Sequence, residues 1–526
     1  MKTELARPAA FPAPRPRHVE VRETHASCVF LGERDVYKVK KPVDFGFLDF
    51  RTLEARRKAC DAEVTLNRRL APDVYFGVVP VVCRRGGALA FGGEGTLVDW
   101  AVHMQRMPDE ARFDVRLHRG TLDAKDIDAV ADRLARFHGD ARSDAQTATF
   151  GSIDAIRRNV TENFAQTHDV VTRHVSASEA AEIEAWQLSF LDHRAGLFDE
   201  RIARHRVRDG HGDLRLEHVY MAPDGALTIL DCIEFNDRFR IADVCADVAF
   251  LSMDLAWNGR VDLAERFLAR YARESGDYDL YRLVDFYESY RAYVRGKVAT
   301  FVAGDPNIFE DTRRQAELEA RRYFLLALAG GRRALVRPVL VCVGGIIAAG
   351  KSTIAAAISQ ELSAPVIEAD LTRKQMLGID PNVHANDSAW TGAYSPAVTE
   401  RVYAEVIQRA TAVLSSGRPV VVDASFRSEQ QRSAARACAR AMGVPIRFVE
   451  CRADRVVACE RLARRPHETT VSDGRLAILD DFLARFEPMT ELPPAEHLVV
   501  DTSGDASHAL ATVRTHLATW PRGLVS

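Results

Sequence analysis

Residues 345–353 read Gly-Ile-Ile-Ala-Ala-Gly-Lys-Ser-Thr and fit the pattern G-x-x-x-x-G-K-[ST]. A continuous apolar run at 338–343 precedes the pattern, as is typical of a strand buried on both faces of a parallel sheet. Residues 352–362 follow it and carry Ala, Ile and Leu at helical spacing. Strand, glycine loop and helix in this order place backbone N–H groups around a phosphate at a helix N-terminus. The pattern therefore predicts a phosphate-binding loop in a parallel α/β sheet.

Several residues of this loop have expected contacts with a bound nucleotide. The glycines let the backbone approach the phosphates closely. Lys351 is expected to reach the β- and γ-phosphates and to act in their transfer, and Ser352 is expected to bind Mg²⁺. The predicted nucleotide-binding residues of the loop are Gly345, Gly350, Lys351, Ser352 and Thr353.

Strand-like and helix-like segments alternate from the phosphate loop onward. The segments are 339–343, 352–362, 365–369, 398–416, 419–423, 428–442, 445–450 and 454–464. Such alternation predicts a doubly wound α/β domain with a parallel sheet.

Two predicted strands of this domain end in acidic residues. The carboxyl ends of parallel strands form the ligand crevice of such a sheet. Asp370, at the end of one strand, is therefore placed to accept a hydroxyl proton, and Arg373 is placed to clamp an acidic group on the acceptor. Asp423 follows another strand and would hold Mg²⁺ through Ser352 or through water. These residues predict an acceptor site beside the phosphate loop.

Arg461, Arg464 and Arg465 lie at positions i, i+3 and i+4 of one predicted helix. Residues at this spacing share a helix face, so the arginines could form a lid that stabilises phosphate charge. Arg461 and Arg465 are the candidates for contact with the nucleotide. An ordinary basic helix surface explains the spacing equally well.

A second set of acidic residues lies nearer the N-terminus. Phosphoryl transfer requires an acid that orients the acceptor hydroxyl and carboxylates that hold Mg²⁺. In the segment His211-Gly-Asp213, the aspartate is the candidate catalytic base. Asp231 ends a predicted strand at 227–230 and is placed to bind the metal, and Glu234 lies three residues beyond it. A loop with incidental acidic residues is the structural alternative.

A lysine that binds the phosphates is a further requirement. Lys38 and Lys40 lie in the predicted strand 36–40 and on the same face, because side chains alternate along a strand. Either lysine could reach the phosphates. Glu63, on the predicted helix 53–70, is the natural ion-pair partner.

Residues 20–330 resemble the aminoglycoside phosphotransferase-like kinases. The matching pieces are Val36-Tyr-Lys38, Glu63, His211-Gly-Asp213-Leu, Asp231 and Asp247-Val-Ala. The resemblance implies an α+β, bilobal, protein-kinase-like fold that uses ATP and Mg²⁺, with Lys38 paired to Glu63. It also implies that Asp213 is the catalytic base, that Asp231 binds Mg²⁺ and that Asp247 braces the catalytic loop.

One position departs from this family. Where the family has Asn as a metal ligand, five residues after the catalytic aspartate, this sequence has His218. Mg²⁺ prefers oxygen ligands, so an imidazole is a poor replacement. Three interpretations stay open: His218 is a metal ligand beside Asp231, or it hydrogen-bonds Asp213, or the domain has lost turnover.

Residues 338–500 resemble the P-loop small-molecule and polynucleotide kinases, including gluconate-kinase-like and zeta-toxin-like members, within the AAA-type ATP-binding proteins. A motor-type AAA ATPase fits less well, because little chain remains for a helical lid domain. The segment 38–50 resembles a branch of the aminoglycoside phosphotransferase superfamily found as enzymes fused to a P-loop kinase. The two resemblances together imply two unrelated ATP-binding domains in tandem.

Length and composition agree with a multidomain globular protein. The chain has 526 residues, of which 47% are hydrophobic and 28% charged, and its net charge is −3. This charge gives no reason to expect a nucleic-acid-binding surface or a membrane anchor. Nine cysteines without a C-x-x-C pair favour reduced thiols and a cytoplasmic location.

The expected organisation has three parts and a short linker. Residues 1–20, rich in proline, are expected to form a flexible leader, 21–335 the kinase-like domain and 336–526 the P-loop domain. The linker is expected at 332–338.

The sequence as a whole predicts a bifunctional ATP- and Mg²⁺-dependent kinase that transfers the γ-phosphoryl group to hydroxyl acceptors. The acceptor classes left open are sugars, aminoglycosides, nucleosides and, for the P-loop domain, a nucleotide or polynucleotide end. No stable nucleic-acid or membrane binding is expected. The alternative is a ligand-sensing, degenerate kinase module that regulates a P-loop ATPase.

Overall fold

The computed structural model describes the chain except for residues 25, 45, 47, 307, 331–336, 384–389, 465–470 and 517–526. It divides into two compact units, a first unit of Met1–Gly259 with Tyr287–Ala327 and a second unit of Arg260–Phe286 with Leu328–Ser526. Residues 260–286, which the sequence analysis assigns to the kinase-like domain, thus group with the phosphate loop. The linker expected at 332–338 lies mostly outside the described residues.

A six-stranded antiparallel sheet forms the N-terminal part of the first unit. Its strands are β1 (Glu20–Glu23), β2 (Ser27–Leu31), β3 (Asp35–Lys40), β4 (Tyr75–Cys83), β5 (Leu89–Phe91) and β6 (Thr96–Gln105). Their spatial order is β1-β2-β3-β6-β4-β5. The sheet therefore places β3 in its interior, hydrogen-bonded to β2 on one side and to β6 on the other.

The residues before β1 pack against this sheet. A short helix, α1 (Lys2–Leu5), buries Leu5, and Phe11 is also buried. The ring of Phe11 contacts that of Tyr37 with 5.1 Å between centroids. A flexible leader is the expectation for 1–20, because this segment is rich in proline and has no continuous apolar run. The contacts show that isolated apolar residues of such a segment can still pack against the sheet.

Strand β3 has two chemically different faces. On one face the ring of Tyr37 stacks on that of Phe91, with 4.1 Å between centroids. Lys38 and Lys40 lie on the opposite face, as the alternation of side chains requires. Their ammonium groups reach helix α2 (Leu53–Asn67), which follows β3 in the chain.

The rest of the first unit is mostly helical. Its helices are α3 (Phe113–His118), α4 (Ala124–Asp140), α5 (Ala145–Ala148), α6 (Ile153–Thr167), α7 (Ala177–His193), α8 (Ala195–Ala203), α9 (Asp237–Arg240), α10 (Val244–Trp257), α12 (Val284–Gly304) and α13 (Glu310–Ala329). Two strand pairs lie between α8 and α10, namely β7 (Val207–Asp209) with β10 (Ile241–Asp243) and β8 (Val219–Met221) with β9 (Leu227–Ile229). A strand-rich part followed by a helical part agrees with the expected α+β fold.

A five-stranded parallel sheet forms the centre of the second unit. Its strands are β11 (Leu340–Gly344), β12 (Val366–Glu368), β13 (Val420–Asp423), β14 (Ile446–Arg452) and β15 (His497–Asp501). Its helices are α11 (Val261–Ser275), α14 (Lys351–Leu362), α15 (Ala369–Leu377), α16 (Pro396–Ser415), α17 (Glu429–Met442), α18 (Arg455–Arg464), α19 (Leu479–Ala484) and α20 (Ala506–His516). The prediction of an α/β domain with a parallel sheet is confirmed.

The strand order of this sheet is β12-β13-β11-β14-β15. From β11 the chain goes to the edge strand β12 and returns to β13, and it then crosses to the other side of β11 and continues through β14 to β15. Strands on both sides of the first strand are typical of the doubly wound arrangement. All five residues of β11 are buried, as its apolar sequence predicts. The carboxyl ends of β11, β12 and β13 meet at one edge of the sheet, and this edge holds the phosphate loop.

All nine cysteines lie in the described part of the chain and are free thiols. Among the helices of that part, none is both long and apolar enough to cross a lipid bilayer.

Candidate functional site

The phosphate-loop pattern folds as a tight turn between β11 and α14. Gly345 has a φ of +134°, and a Cβ there would lie 2.4 Å from the carbonyl oxygen of Cys451. Gly350 has a φ of +77° and directly precedes Lys351, the first residue of α14. Glycine adopts such φ values without the strain that a side chain would cause. Both glycines of the pattern are therefore required by the local fold.

Lys351, Ser352 and Asp423 meet at the end of this loop. The ammonium of Lys351 donates a hydrogen bond to the carbonyl oxygen of Ile346 at 2.7 Å. The side chain of Asp423, at the end of β13, is only 7% exposed. Burial raises the pKa of Asp423 to about 6, although nearby Lys351 and a hydrogen bond with Ser352 oppose the rise. An added cation at this point would favour the charged carboxylate.

The oxygen atoms of Ser352 and Asp423 fit a magnesium ion. In nucleotide sites Mg²⁺ commonly takes one or two protein oxygens and completes its octahedron with phosphate oxygens and water. Within the described residues, no group of three or more His, Cys, Asp or Glu could hold a metal alone. The donor set thus suits an ion that binds together with nucleotide phosphates.

One cavity of about 690 Å³ in the second unit joins the phosphate loop to the ends of β12 and β13. This volume is within the usual range for small-molecule sites. The site residues predicted from the sequence that line it are Gly350, Lys351, Ser352, Thr353, Asp370, Arg373, Asp423 and Arg461. Gly345 lies at the start of the loop, outside this lining, and Arg465 lies outside the described residues.

Arg373 lies on α15, one turn after Asp370. Its Nη1 donates a hydrogen bond to the carbonyl oxygen of Ala393 at 2.8 Å, and its Cζ lies 4.3 Å from the ring centroid of Tyr394. The residue is only 5% exposed, and its Nε has no hydrogen-bond partner among the described residues. A buried guanidinium with an unused donor is suited to a polar group that enters the cavity.

Arg461 lies against the phosphate loop. Its Nη1 donates to the carbonyl oxygen of Ala348 at 3.1 Å, and its Nη2 donates to that of Thr502 at 2.6 Å. These bonds connect the loop to the residue that follows β15. Arg464, by contrast, is largely exposed, at 4.0 Å from Glu460. In this structure Arg461 supports the loop backbone, which is a different task from that of a mobile lid.

Several cavity residues were not identified from the sequence. Arg273 of α11 donates through Nε to Glu368 Oε1 at 2.7 Å and lines the cavity. Arg427 and Trp390 also line it, with the Arg427 Cζ 4.1 Å from the indole centroid. Each comes from a segment remote in sequence from the phosphate loop, and no motif marks these positions.

In the first unit, Lys38 and Lys40 share the carboxylate of Glu63. Lys38 Nζ lies 3.0 Å from Glu63 Oε1 and 2.7 Å from Asp231 Oδ1. Lys40 Nζ lies 2.5 Å from Glu63 Oε2 and also contacts Glu234. The side chain of Lys38 is 15% exposed and that of Lys40 is 2% exposed. The geometry therefore favours Lys38 as the phosphate lysine, with Lys40 neutralising buried carboxylates.

Electrostatics agree with this division of roles. Burial lowers the pKa of Lys38, but the carboxylates of Asp231, Glu63 and Glu234 outweigh it and hold that pKa well above its ordinary value. Lys38 is thus a permanent cation beside Asp231. A positively charged group at this position is suited to phosphate oxygens.

The loop that carries Asp213 is fixed by Asp247. The Asp247 carboxylate accepts hydrogen bonds from the backbone N–H groups of His211 at 2.7 Å and Gly212 at 2.8 Å. A Cβ at Gly210 would lie 2.3 Å from the same carboxylate, so glycine is needed there. Asp247 therefore braces this loop in the way that the family resemblance implies.

Asp213 itself is engaged by Arg215. Arg215 donates through Nε to Asp213 Oδ1 at 3.0 Å and through Nη2 to Oδ2 at 2.9 Å. Burial raises the pKa of Asp213, but the charges of Arg215 and His218 reverse this effect and hold that pKa well below its usual range. The carboxylate is ionised and already paired. To accept a proton from a substrate hydroxyl, Asp213 would have to exchange this partner.

His218 lies between Asp213, the predicted catalytic base, and Asp231, the predicted metal ligand. Its Nδ1 donates to the backbone carbonyl oxygen of Asp213 at 2.7 Å, so this nitrogen carries a proton. Its Nε2 lies 3.7 Å from Asp231 Oδ2. Asp231 has a φ of +63° and a side chain that is 48% exposed, so its carboxylate is open to a ligand. The structure thus brings Asp213, His218, Asp231 and Lys38 together in one site.

Comparison with known proteins extends these observations. Residues 340–489 match the AAA domain family, and this match covers the phosphate loop and the strands β11 to β14 of the parallel sheet. Within the second unit, residues 340–489 are therefore similar to AAA-type domains. Over 458 residues the chain is 34% identical to uncharacterized protein Rv2004c of Mycobacterium tuberculosis, covering 87% of this chain and 88% of that protein. Uncharacterized protein Mb2027c of Mycobacterium bovis matches to the same extent. The chain belongs to the family of these mycobacterial proteins.

Solved structures with partial similarity fall into two groups. A gluconokinase from Sinorhizobium meliloti 1021 is 23% identical and covers 37% of this chain and 98% of its own, with a TM-score of 0.26. Aminoglycoside 2'-phosphotransferase-IIIa in its GDP complex is 16% identical and covers 62% and 97%, with a TM-score of 0.36. A choline/ethanolamine kinase family protein from Mesorhizobium loti is 11% identical and covers 60% and 92%, with a TM-score of 0.35.

Proposed function

We propose that the protein is an ATP- and Mg²⁺-dependent phosphotransferase with one kinase site in each unit, acting on small-molecule hydroxyl acceptors. The observation that carries the proposal is the cavity of about 690 Å³ in the second unit. Its lining combines Lys351 of the phosphate loop with Asp370 and Arg373 at the end of β12. A site that only bound or hydrolysed ATP would not need an acid and a buried arginine on the acceptor side.

Each residue of the site in the second unit has a proposed role. Lys351 would exchange its bond to the Ile346 carbonyl for the β- and γ-phosphates. Ser352 and Asp423 would hold Mg²⁺, which neutralises phosphate charge during transfer. Asp370 would accept the proton of the acceptor hydroxyl. Arg373 would bind an acidic group of the acceptor through its unused Nε donor.

In the first site the proposal assigns Lys38 to the phosphates and Glu63 to orienting that lysine. Asp231, with its exposed carboxylate, would hold Mg²⁺. Asp213 would accept the hydroxyl proton after leaving Arg215. His218 would position the Asp213 loop through its hydrogen bond to the backbone. A direct metal contact by His218 Nε2 is the remaining alternative.

A second candidate function applies to the first unit alone. Arg215 donates a hydrogen bond to each carboxylate oxygen of Asp213, so the predicted base is already engaged at both oxygens. A unit that binds a ligand without turning it over, and that regulates the P-loop unit, would tolerate this pairing. The observation favours a sensor only if the pair persists when ATP is bound.

The proposal is tested by incubating the full chain with Mg²⁺ and ATP against a library of hydroxyl metabolites and detecting products by mass. The library should contain sugars, aminoglycosides, nucleosides, nucleotides and oligonucleotides with free 5' hydroxyls. We expect at least one compound to gain a phosphoryl group. ATP binding without any phosphorylated product across the library would contradict the kinase proposal.

A further inference from the structure

The cavity of the second unit carries more positive than negative charge. Among the described residues that line it, seven are Arg or Lys and four are Asp or Glu. Lys351 and Arg461 lie at the phosphate loop, where ATP would take up their charge. The residues beside the ends of β12 and β13, on the acceptor side, therefore decide what else the cavity binds.

The carboxylates near the acceptor side are mostly engaged by other groups. Glu368 accepts from Arg273 at 2.7 Å. Asp473 lies 3.2 Å from the buried Lys374 and accepts from the Tyr394 hydroxyl at 2.7 Å. Asp423 belongs to the loop, beside Lys351. These contacts leave the two acceptor-side arginines, Arg373 and Arg427, without a carboxylate partner in the cavity.

Neither Arg373 nor Arg427 forms an ion pair within the described part of the chain. Arg373 is held by the Ala393 carbonyl oxygen and by the Tyr394 ring, and its Nε is buried and unpaired among the described residues. Arg427 lies over the indole ring of Trp390. Backbone and ring contacts, and not an ion pair, hold these guanidiniums in place among the described residues.

A third arginine lies close to Arg427, although it is not among the residues that line the cavity. The Cζ of Arg485 lies 4.5 Å from the centroid of Trp390, the ring that Arg427 also contacts. Burial lowers the pKa of Arg427, and the charges of Arg485 and Arg373 lower it as well. Tyr403 and Glu487 act in the opposite direction, but the net effect is a lowered pKa. Like charges held this close around one cavity wall favour an anion at that wall.

We infer that Arg373 and Arg427 form a binding site for a dianionic group, such as a phosphate monoester, on the hydroxyl acceptor of the second unit. The inference rests on the proposed function and narrows its substrate class. Two guanidiniums without carboxylate partners match two negative charges. Their planar donors suit phosphate oxygens, which they can bind in pairs. The dianion would anchor the acceptor while its hydroxyl faces Asp370.

The test uses the full chain with inorganic phosphate as the probe. The phosphate loop is first saturated with Mg²⁺ and the non-hydrolysable analogue AMP-PNP, so that the loop itself is filled. Phosphate binding is then measured by calorimetry for the wild type and for Arg427→Gln, Arg427→Lys and Arg373→Gln. Arg440→Gln, which changes an exposed arginine of α17, is the control.

We expect Arg427→Gln to weaken phosphate binding about 10- to 100-fold, the usual effect of losing a charge-assisted hydrogen bond. Arg427→Lys should retain part of the affinity, and Arg440→Gln all of it. AMP-PNP affinity at the site that Lys351→Ala removes should change less than about twofold in every variant, which also shows that the second unit is folded. Arg427 is half-exposed, so the test does not depend on the buried Arg373.

Two other outcomes are distinct. If AMP-PNP binds but phosphate does not, or binds Arg427→Gln as well as wild type, the dianion site is wrong and the kinase proposal stands. If AMP-PNP does not bind the second unit, as shown by equal binding in Lys351→Ala, the P-loop assignment fails and the dianion site fails with it.

Discussion

Arg273 Nε donates to Glu368 Oε1 at 2.7 Å and joins helix α11 to the carboxyl end of strand β12 within the second unit. The hydroxyl of Tyr278 donates to the carbonyl oxygen of Val366 on the same strand, also at 2.7 Å. β12 is an edge strand, so one of its sides has no neighbouring strand. The two bonds give hydrogen-bond partners to a backbone carbonyl and to a side chain of this strand. Asp370 follows Glu368 by two residues. The segment 260–286 thus fixes the strand end that carries the proposed base.

Replacing Arg273 tests this role of the segment. We expect Arg273→Ala to lower the rate of phosphoryl transfer by the second unit about tenfold, because the strand end that positions Asp370 loses its ion pair. Nucleotide affinity should be unchanged, since Lys351 and Ser352 are not involved. Transfer rate and AMP-PNP affinity are measured side by side, with Arg260→Ala as the control at an exposed ion pair with Asp262. Equal transfer rates in all three proteins would show that the pair is only structural.

The pKa of Asp423 predicts a dependence of stability on pH. Folding raises this pKa to about 6 from an ordinary value near 3.8. Between pH 3.8 and about 6, the carboxyl of Asp423 therefore keeps its proton in the folded chain and loses it in the unfolded chain. The free energy of unfolding falls as the pH rises through this range. A rise of this size corresponds to roughly 3 kcal/mol at most. Adding Mg²⁺ with nucleotide should reverse the loss at neutral pH.

The measurement is thermal unfolding of the wild type and Asp423→Asn at pH 4.5 and 7.5 in the absence of Mg²⁺ and nucleotide. The wild type should lose stability relative to Asp423→Asn on going to pH 7.5. Asp481→Asn, at an exposed position on α19, is the control. A difference between wild type and Asp423→Asn that is the same at both pH values would contradict the burial argument.

We expect substitutions of Asp213 and Asp231, the two acidic residues of the first site, to impair different functions. Asp213→Asn should retain ATP binding and lose transfer, because removal of a positioned base typically costs about 10²–10⁴-fold in rate. Asp231→Ala should lose both Mg²⁺ and productive ATP binding, because its exposed carboxylate is the proposed metal ligand. ATP affinity with and without Mg²⁺ distinguishes the two. Full transfer activity in Asp213→Asn would mean that the loop is structural.

Variants of His218 test whether this residue supports the Asp213 loop or contacts the metal. We expect His218→Asn to preserve or raise Mg²⁺-dependent transfer, because an amide can donate to the Asp213 carbonyl and offers oxygen to the metal. His218→Ala should be about tenfold slower, because the backbone hydrogen bond is lost. Rates are compared in Mg²⁺ and then in Mn²⁺. If His218→Asn is as slow as His218→Ala, the imidazole itself is needed.

The parts of the site that the sequence predicted are local. The phosphate loop could be identified because strand, glycines and helix are contiguous, and Asp370 because it ends a strand of the same sheet. Lys38 and Lys40 share one face of β3, so periodicity could not rank them. The folded chain distinguishes them through partners remote in sequence, since Lys38 pairs with the exposed Asp231 and Lys40 pairs with the buried Glu234.

The parts that were missed depend on long-range packing. Arg273 lies on helix α11, some 70 residues before the phosphate loop, and no composition shift marks that helix as part of the second unit. Arg427 contacts the ring of Trp390 and lines the cavity beside it, and this contact forms only in the folded chain. Leu5 and Phe11 are buried although prolines surround them. Pairings of this kind are visible only after the chain is folded.

The central claim, two independent kinase sites, is tested most directly by phosphorylated-product profiles of the full chain. Wild type, Lys351→Ala, Asp213→Asn and the double variant are assayed with ATP and Mg²⁺ on one acceptor library. We predict that each single variant loses its own set of products and that the double variant loses all of them, with each protein still folded. Products that persist in the double variant, or ATP binding by wild type without any product, would contradict the claim.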